Sequence, residues 1–279
     1  MLSATWLLYV LVPGLVQAGV VLLSLGLLVR AAFAWRGLTI HDVHRQERVR
    51  WTPTRHAVLA RETIAGFVLL ALRPIGWADA PLPRETSGCP VLLVPDPRLG
   101  RGALALLEVF LRQRGLAVWP VRLSHQDASL GQLAERLQGE VGRLREATGA
   151  TQVDLVGFGL GGLVAAWLCH HLDGAATVRR LVTLGTPWRG TRLAVFYPGT
   201  LAREIRPDAH DLDGLASCGV DTLSVWCPED PEVVPAESAC ADPARSVAVE
   251  GAGHLGMLLS ARTFRAVLTG LRDALPEPG

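Results

Sequence analysis

From Cys89 onward the sequence repeats one pattern, a short run of aliphatic and β-branched residues followed by a longer stretch with apolar residues at helical spacing. The runs Val91–Val94, Leu116–Val121, Gln152–Val156, Val178–Leu184, Thr222–Cys227 and Ser246–Val249 read as strands, and the stretches Leu104–Arg114, Leu130–Glu146, Gly161–His171 and Met257–Leu271 read as helices. Strands this uniformly apolar must be buried on both faces. Strand-helix alternation achieves this in a mostly parallel sheet flanked by helices. In such a sheet ligand-binding and catalytic groups collect in the loops after the carboxyl ends of the strands.

Composition narrows the partners. All 27 basic residues are arginines, against 26 acidic residues, so the net charge of +1 gives no overall case for nucleic acid. Cys89, Cys169, Cys218, Cys227 and Cys240 are irregularly spaced, with no CxxC pair and no Cys/His cluster at metal-ligand spacing; neither structural zinc nor a disulfide framework is expected. No cofactor is implied.

The first 29 residues contain no Asp, Glu, Lys, Arg or His, and Ala4–Val29 is long enough to span a bilayer as a helix. A signal peptide ending near Ala32-Phe33-Ala34 competes with this reading, although no basic segment precedes the run. A buried helix is the third reading. The expectation is an N-terminal transmembrane helix within residues 1–35, with the lipid bilayer as partner. Arg30, Arg36, Arg45, Arg48, Arg50, Arg55 and Arg61 all follow the span, so the positive-inside rule places the rest of the chain in the cytoplasm. Residues 36–88 read as a juxtamembrane, basic and apolar helical connector. Within it Ile64–Leu72 is too short to cross a membrane, and either lies at the interface or packs on the following domain, while the Pro/Gly-containing Pro74–Gly88 reads as a linker. Residues 89–279 form the main domain.

Four loops of that domain carry chemistry-bearing residues. Gly157-Phe158-Gly159-Leu160-Gly161-Gly162 joins a strand to an apolar helix; its glycines are spaced wrongly for a dinucleotide fingerprint, and a phosphate loop would need a lysine the chain lacks. The turn resembles the G-x-S-x-G nucleophile elbow of the α/β-hydrolases, in particular bacterial lipase- and esterase-like members. The resemblance runs through most of Pro90–Leu271. Val153-Asp154-Leu155-Val156 matches the strand before the elbow, Gly161-Gly162-Leu163-Val164 its continuation, and Leu184-Gly185-Thr186-Pro187 with Gly190-Thr191 a further family segment. It implies that Asp230, in a D-x-x-V-x-P pattern ending at Pro235, stands at the position of the triad acid, and His254 at that of the triad base. As a purely local matter, Asp230 reads equally as a turn former and His254 as an ordered polar residue.

Two departures bear on activity. Gly159 stands where the family has its serine, so the acyl-enzyme route lacks its first reactant. Pro95, Asp96 and Pro97 replace the family's His-Gly-apolar segment after the first strand, whose backbone N–H helps to hold the oxyanion. Proline has no N–H to give and a carboxylate opposes a developing negative charge, which leaves the Leu160 N–H as the expected donor. Ser124, Thr186 and Cys227 are other nucleophile types near strand ends, though none occupies an elbow; Cys169 reads as helix packing, and Arg98, Arg101 and Arg122 as scattered cations able to meet an anion. Trp188–Gly219 reads either as a cap shaping a cleft or as a connection shielding the sheet edge. The sequence thus favours a membrane-anchored, degenerate hydrolase relative that binds an acyl-chain or lipid-like ligand or a protein partner. The alternative is an ester or lipid hydrolase working through His254 and Asp230 by a non-standard route.

Overall fold

A computed structural model describes residue 32 and residues 53–78, 80–82, 88–123 and 128–272. Six parallel strands form one sheet: β1 (Val91–Val94), β2 (Val118–Pro120), β3 (Val153–Phe158), β4 (Val178–Leu184), β5 (Asp221–Trp226) and β6 (Ser246–Ala248), in the order β2-β1-β3-β4-β5-β6. Alternating side chains feed two cores. Leu92, Val94, Leu155 and Leu181 face one, and Val91, Leu93, Val156, Phe158, Val182 and Leu184 the other. This two-sided burial is why β1 lacks a polar face, whereas the edge strand β6 stays largely exposed.

The first core is closed by α3 (Leu130–Thr148) and α4 (Leu160–His171), the second by α1 (Pro53–Leu72), α2 (Ala105–Arg112) and α7 (Ala261–Arg272). Short helices α5 (Gly174–Thr177) and α6 (Thr200–Glu204) lie on the connections around β4. Local signals set the ends of α3. Ser129 Oγ accepts the Gln132 N–H at 3.2 Å while Gln132 Oε1 accepts the Ser129 N–H at 3.0 Å, and Gly149 ends the helix in a left-handed conformation.

The main difference from the sequence reading lies upstream of β1. Helix α1 begins at Pro53, eleven residues before the apolar stretch starting at Ile64. Its buried side is built from Val58, Ala65 and Leu69 together with Glu62, and Ala65 and Leu69 enter the second core. Of the two readings of this stretch, the structure has the packed helix. The linker reading of Pro74–Gly88 is corrected at its start: Arg73–Trp77 is a further helical turn, held because Arg101 Nη2 donates to Ile75 O at 3.0 Å and Arg122 Nη2 to Trp77 O at 2.7 Å. Those arginines are structural ties between loop and domain. Among the described residues no helix is long and apolar enough to cross a membrane. The Ala4–Val29 run lies outside the described residues, as does Ser124.

Candidate active site

Strand order reverses between β1 and β3, since β2 returns on the outer side of β1. The crevice at such a reversal is where doubly wound sheets place their ligands. The loops leaving β1 and β3 meet there, carrying Asp96 and Gly159.

Gly159 has φ 55° and ψ −122°, a sharp turn from strand into helix that disfavours any residue with a Cβ. Thr186 Oγ1 donates to Gly159 O at 3.0 Å and fixes the turn from the β4 loop. The neighbouring glycines answer a spatial demand: a Cβ on Gly157 would run into the Gly162 backbone, and one on Gly161 into the carbonyls of Val94 and Pro95. Thr186 is thus a brace for the elbow.

A Cβ on Gly159 would lie 3.5 Å from His254 Nε2 and 2.8 Å from Asp96 Oδ2. The histidine and the carboxylate therefore converge on the point from which a side chain at the elbow would project. Asp96 Oδ2 accepts the Leu160 N–H at 3.2 Å and Arg98 Nη2 at 2.8 Å; Oδ1 accepts Arg98 Nε and the Arg98 N–H, each at 2.9 Å. Asp96 is fully buried, with buried Pro95 and Pro97 on either side. Burial pushes its carboxyl upward, but the Arg98 guanidinium and the two backbone donors outweigh that and hold it below 3.8. The sequence reading left Leu160 as a donor for an oxyanion. In the folded chain that donor is engaged by the Asp96 carboxylate.

On the other side of the elbow, His254 Nδ1 stands 2.7 Å from Asp230 Oδ2, and Asp230 Oδ1 accepts the N–H groups of Glu232 at 2.7 Å and Val233 at 3.0 Å. Asp230 and His254 are both buried, and His254 Nε2 has no hydrogen-bond partner among the described residues, the nearest carboxylate oxygen being Glu232 Oε2 at 3.8 Å. Burial lowers the imidazole's basicity, yet the carboxylates of Asp230, Glu232 and Glu62 prevail and raise it to about 9.

Arg98 joins the two halves. It forks onto Asp96, approaches Glu232 Oε2 at 3.6 Å and packs its guanidinium over the Tyr197 ring at 4.8 Å. Tyr197 belongs to the Trp188–Gly219 segment, which buries Trp188, Leu193, Ala202, Ile205 and Leu215 and leaves above the elbow a cleft of only about 60 Å³, bordered by Arg98, Leu160 and Tyr197. Ligand pockets are commonly several hundred Å³.

The structure gathers Gly159, Leu160, Pro95, Asp96, Pro97, Asp230 and His254 in one place, and Arg98 with them. Cys227 lies under the histidine loop, its sulfur accepting the Gly253 N–H at 3.2 Å, and burial pushes its thiol up to about 12. Cys169 sits in the first core. Glu232 and Glu62 escaped the sequence reading. A carboxylate two residues after Asp230 was a usable signal for the first, whereas nothing local marks Glu62 on a distant helix.

No family model matches the sequence. Solved structures do. A lipase of Bacillus licheniformis, BlEst2 in mature form, superposes with a TM-score of 0.57 at 14% identity over 68% of this chain and 94% of that one. Aspergillus fumigatus lipase B gives 0.55 at 15% identity over 67% of this chain and 53% of that one, so the match spans about half of the fungal lipase. An α/β hydrolase enzyme from the metagenome of sediments of the Mar Chica lagoon in Morocco gives 0.50 at 19% identity, over 66% and 90% of the two chains. With six parallel strands in this order and a strand-to-helix elbow at the switch point, the chain has the α/β-hydrolase fold of lipases and esterases.

Proposed function

We propose that the protein is a membrane-anchored, catalytically silent relative of the lipases and esterases whose fold it shares, and that it works by binding a lipid-like ligand or a partner protein. One observation carries the reading: the Asp96 carboxylate fills the space beside Gly159 and takes the Leu160 N–H. A serine hydrolase needs a nucleophile on the elbow and a free donor for the oxyanion. Here the first is replaced by glycine and the second is engaged by a fixed anion. The membrane part of the reading rests on the uncharged Ala4–Val29 run and the arginines that follow it, which favour a cytoplasmic main domain.

The competing reading is hydrolysis by a water molecule activated by His254. The 2.7 Å pairing with Asp230 and the unpartnered Nε2 favour it. Against it, the burial of His254 is outweighed by the carboxylates of Asp230, Glu232 and Glu62, which favour the protonated ring, a form that cannot take a proton from water. The deciding measurement is turnover of short- and long-chain acyl esters by the purified full chain. The expected result is no turnover beyond that of His254→Ala; turnover that His254→Ala abolishes overturns the reading.

A further inference from the structure

Away from the elbow, a groove of about 530 Å³ runs between α1 and the start of α7. Arg61, Arg262 and Arg265 line it with a single carboxylate, Glu250, together with Ser260 and Ile64. Arg61 Nη1 donates to Gly251 O, and Arg265 Nε donates to Ala261 O at 3.1 Å. Three arginines and one carboxylate give the groove a net positive lining, and the guanidinium fork matches phosphate geometry.

The rim continues into an apolar strip. On α1, Ala57, Ala60, Ile64 and Ala71 recur at spacings of three, four and seven residues and are exposed, with Val68 half-buried among them. Ile64 is 58% exposed, and beyond the helix Ile75 and Trp77 are 47% and 74% exposed. Along α1 the strip from Ala57 to Ala71 extends roughly 20 Å at the helical rise of about 1.5 Å per residue. An indole at one end, aliphatic side chains along the middle and arginines at the other end suit the boundary between headgroups and acyl chains. The Ala4–Val29 run ends 23 residues before Pro53, so a chain anchored there keeps α1 within reach of the bilayer.

Building on the membrane-anchored reading above, we infer that the groove between α1 and α7 is a binding site for the phosphate headgroup of an anionic phospholipid, with Ile64 and the strip beside it inserted among the acyl chains.

The test uses the full chain in nanodiscs, carrying Ile64→Cys labelled with an environment-sensitive fluorophore and corrected with the native chain labelled in the same way. In discs of phosphatidylcholine with 30% phosphatidylglycerol the probe is expected to report an apolar setting, and in phosphatidylcholine alone a polar one. Arg262→Gln with Arg265→Gln should lower the docked-to-undocked ratio about thirtyfold, from roughly 1 kcal/mol for each arginine near an anionic surface. Both side chains lie on the outside of α7, and an unchanged melting temperature separates lost docking from lost folding. Equal emission in the two lipids overturns the inference. If inorganic phosphate reproduces the whole change in phosphatidylcholine discs, the site takes a soluble anion and the lipid assignment fails. A chain removed from vesicles by alkaline carbonate overturns the anchoring itself; a chain that stays but does not dock overturns the headgroup site alone.

Discussion

At position 159 two demands oppose each other, because the turn's φ of 55° suits glycine while the fold's usual chemistry wants a side chain there. Holding a residue with a Cβ in this conformation costs about 1 to 3 kcal/mol, and here the new Cβ also falls 2.8 Å from Asp96 Oδ2. Gly159→Ser is therefore expected to lower the melting temperature, by about 2 to 4 °C per kcal/mol for a domain of this size, and to yield no esterase activity. Combining it with Asp96→Gly should destabilise less than the two single changes added together, by about 0.5 to 3 kcal/mol, and a double-mutant cycle on thermal unfolding reads that coupling directly. Arg98 tests the anion itself. Arg98→Gln leaves a fully buried carboxylate without its countercharge, a change of about 3 to 5 kcal/mol for a buried pair; the 29% exposure of the Arg98 side chain places the expected loss near the lower end, measurable by urea unfolding.

Among the elements, α1 controls more of the site than its distance in sequence suggests. Glu62 Oε1 accepts the Gly256 N–H at 2.9 Å, and its neighbour Arg61 donates to Gly251 O, so two adjacent residues of one helix hold both ends of the loop bearing His254. A Cβ on Gly253 would strike the Glu62 carboxyl, which shows how closely the loop is drawn onto the helix. Glu62→Ala leaves a buried N–H without its acceptor and should cost about 1 to 3 kcal/mol in unfolding free energy. Glu62→Gln keeps an acceptor but removes a negative charge facing His254. The expected outcome is a lower His254 pKa in an NMR titration of the imidazole, with the fold retained.

For the molecule as a whole, the buried charges set a pH window. His254 is raised in the folded state from 6.5 to about 9, so its stabilising contribution is complete below pH 6.5 and disappears as the pH rises through about 9. Asp96 works in the opposite sense: its carboxyl is held below 3.8, so its contribution is present above that value and is lost as the pH falls through the folded-state pKa. Thermal unfolding of the native chain should show a plateau between these limits and a decline from pH 7 to pH 9.5. His254→Gln should flatten that alkaline decline and leave the acid side in place.

Much of this was legible in the residues. The two-sided apolar strands required helices on both faces, the elbow glycines marked a strand-to-helix turn, and the order of Gly159, Asp230 and His254 pointed to one site. Strand and helix limits differed by a few residues because hydrogen bonding, which a hydrophobic pattern does not carry, decides where pairing stops. The packing of α1 was left open between two surfaces, because a short apolar stretch is equally suited to a core and to an interface. The sequence by itself determined the alternating fold and the glycine at position 159, since burial periodicity and side-chain chemistry are local properties. Only the tertiary structure decided that Asp96 fills the elbow, that Arg98 locks it there and that Glu62 holds the histidine loop, because these contacts join residues 64, 2 and 194 positions apart and depend on distances and burial that spacing along a chain does not specify.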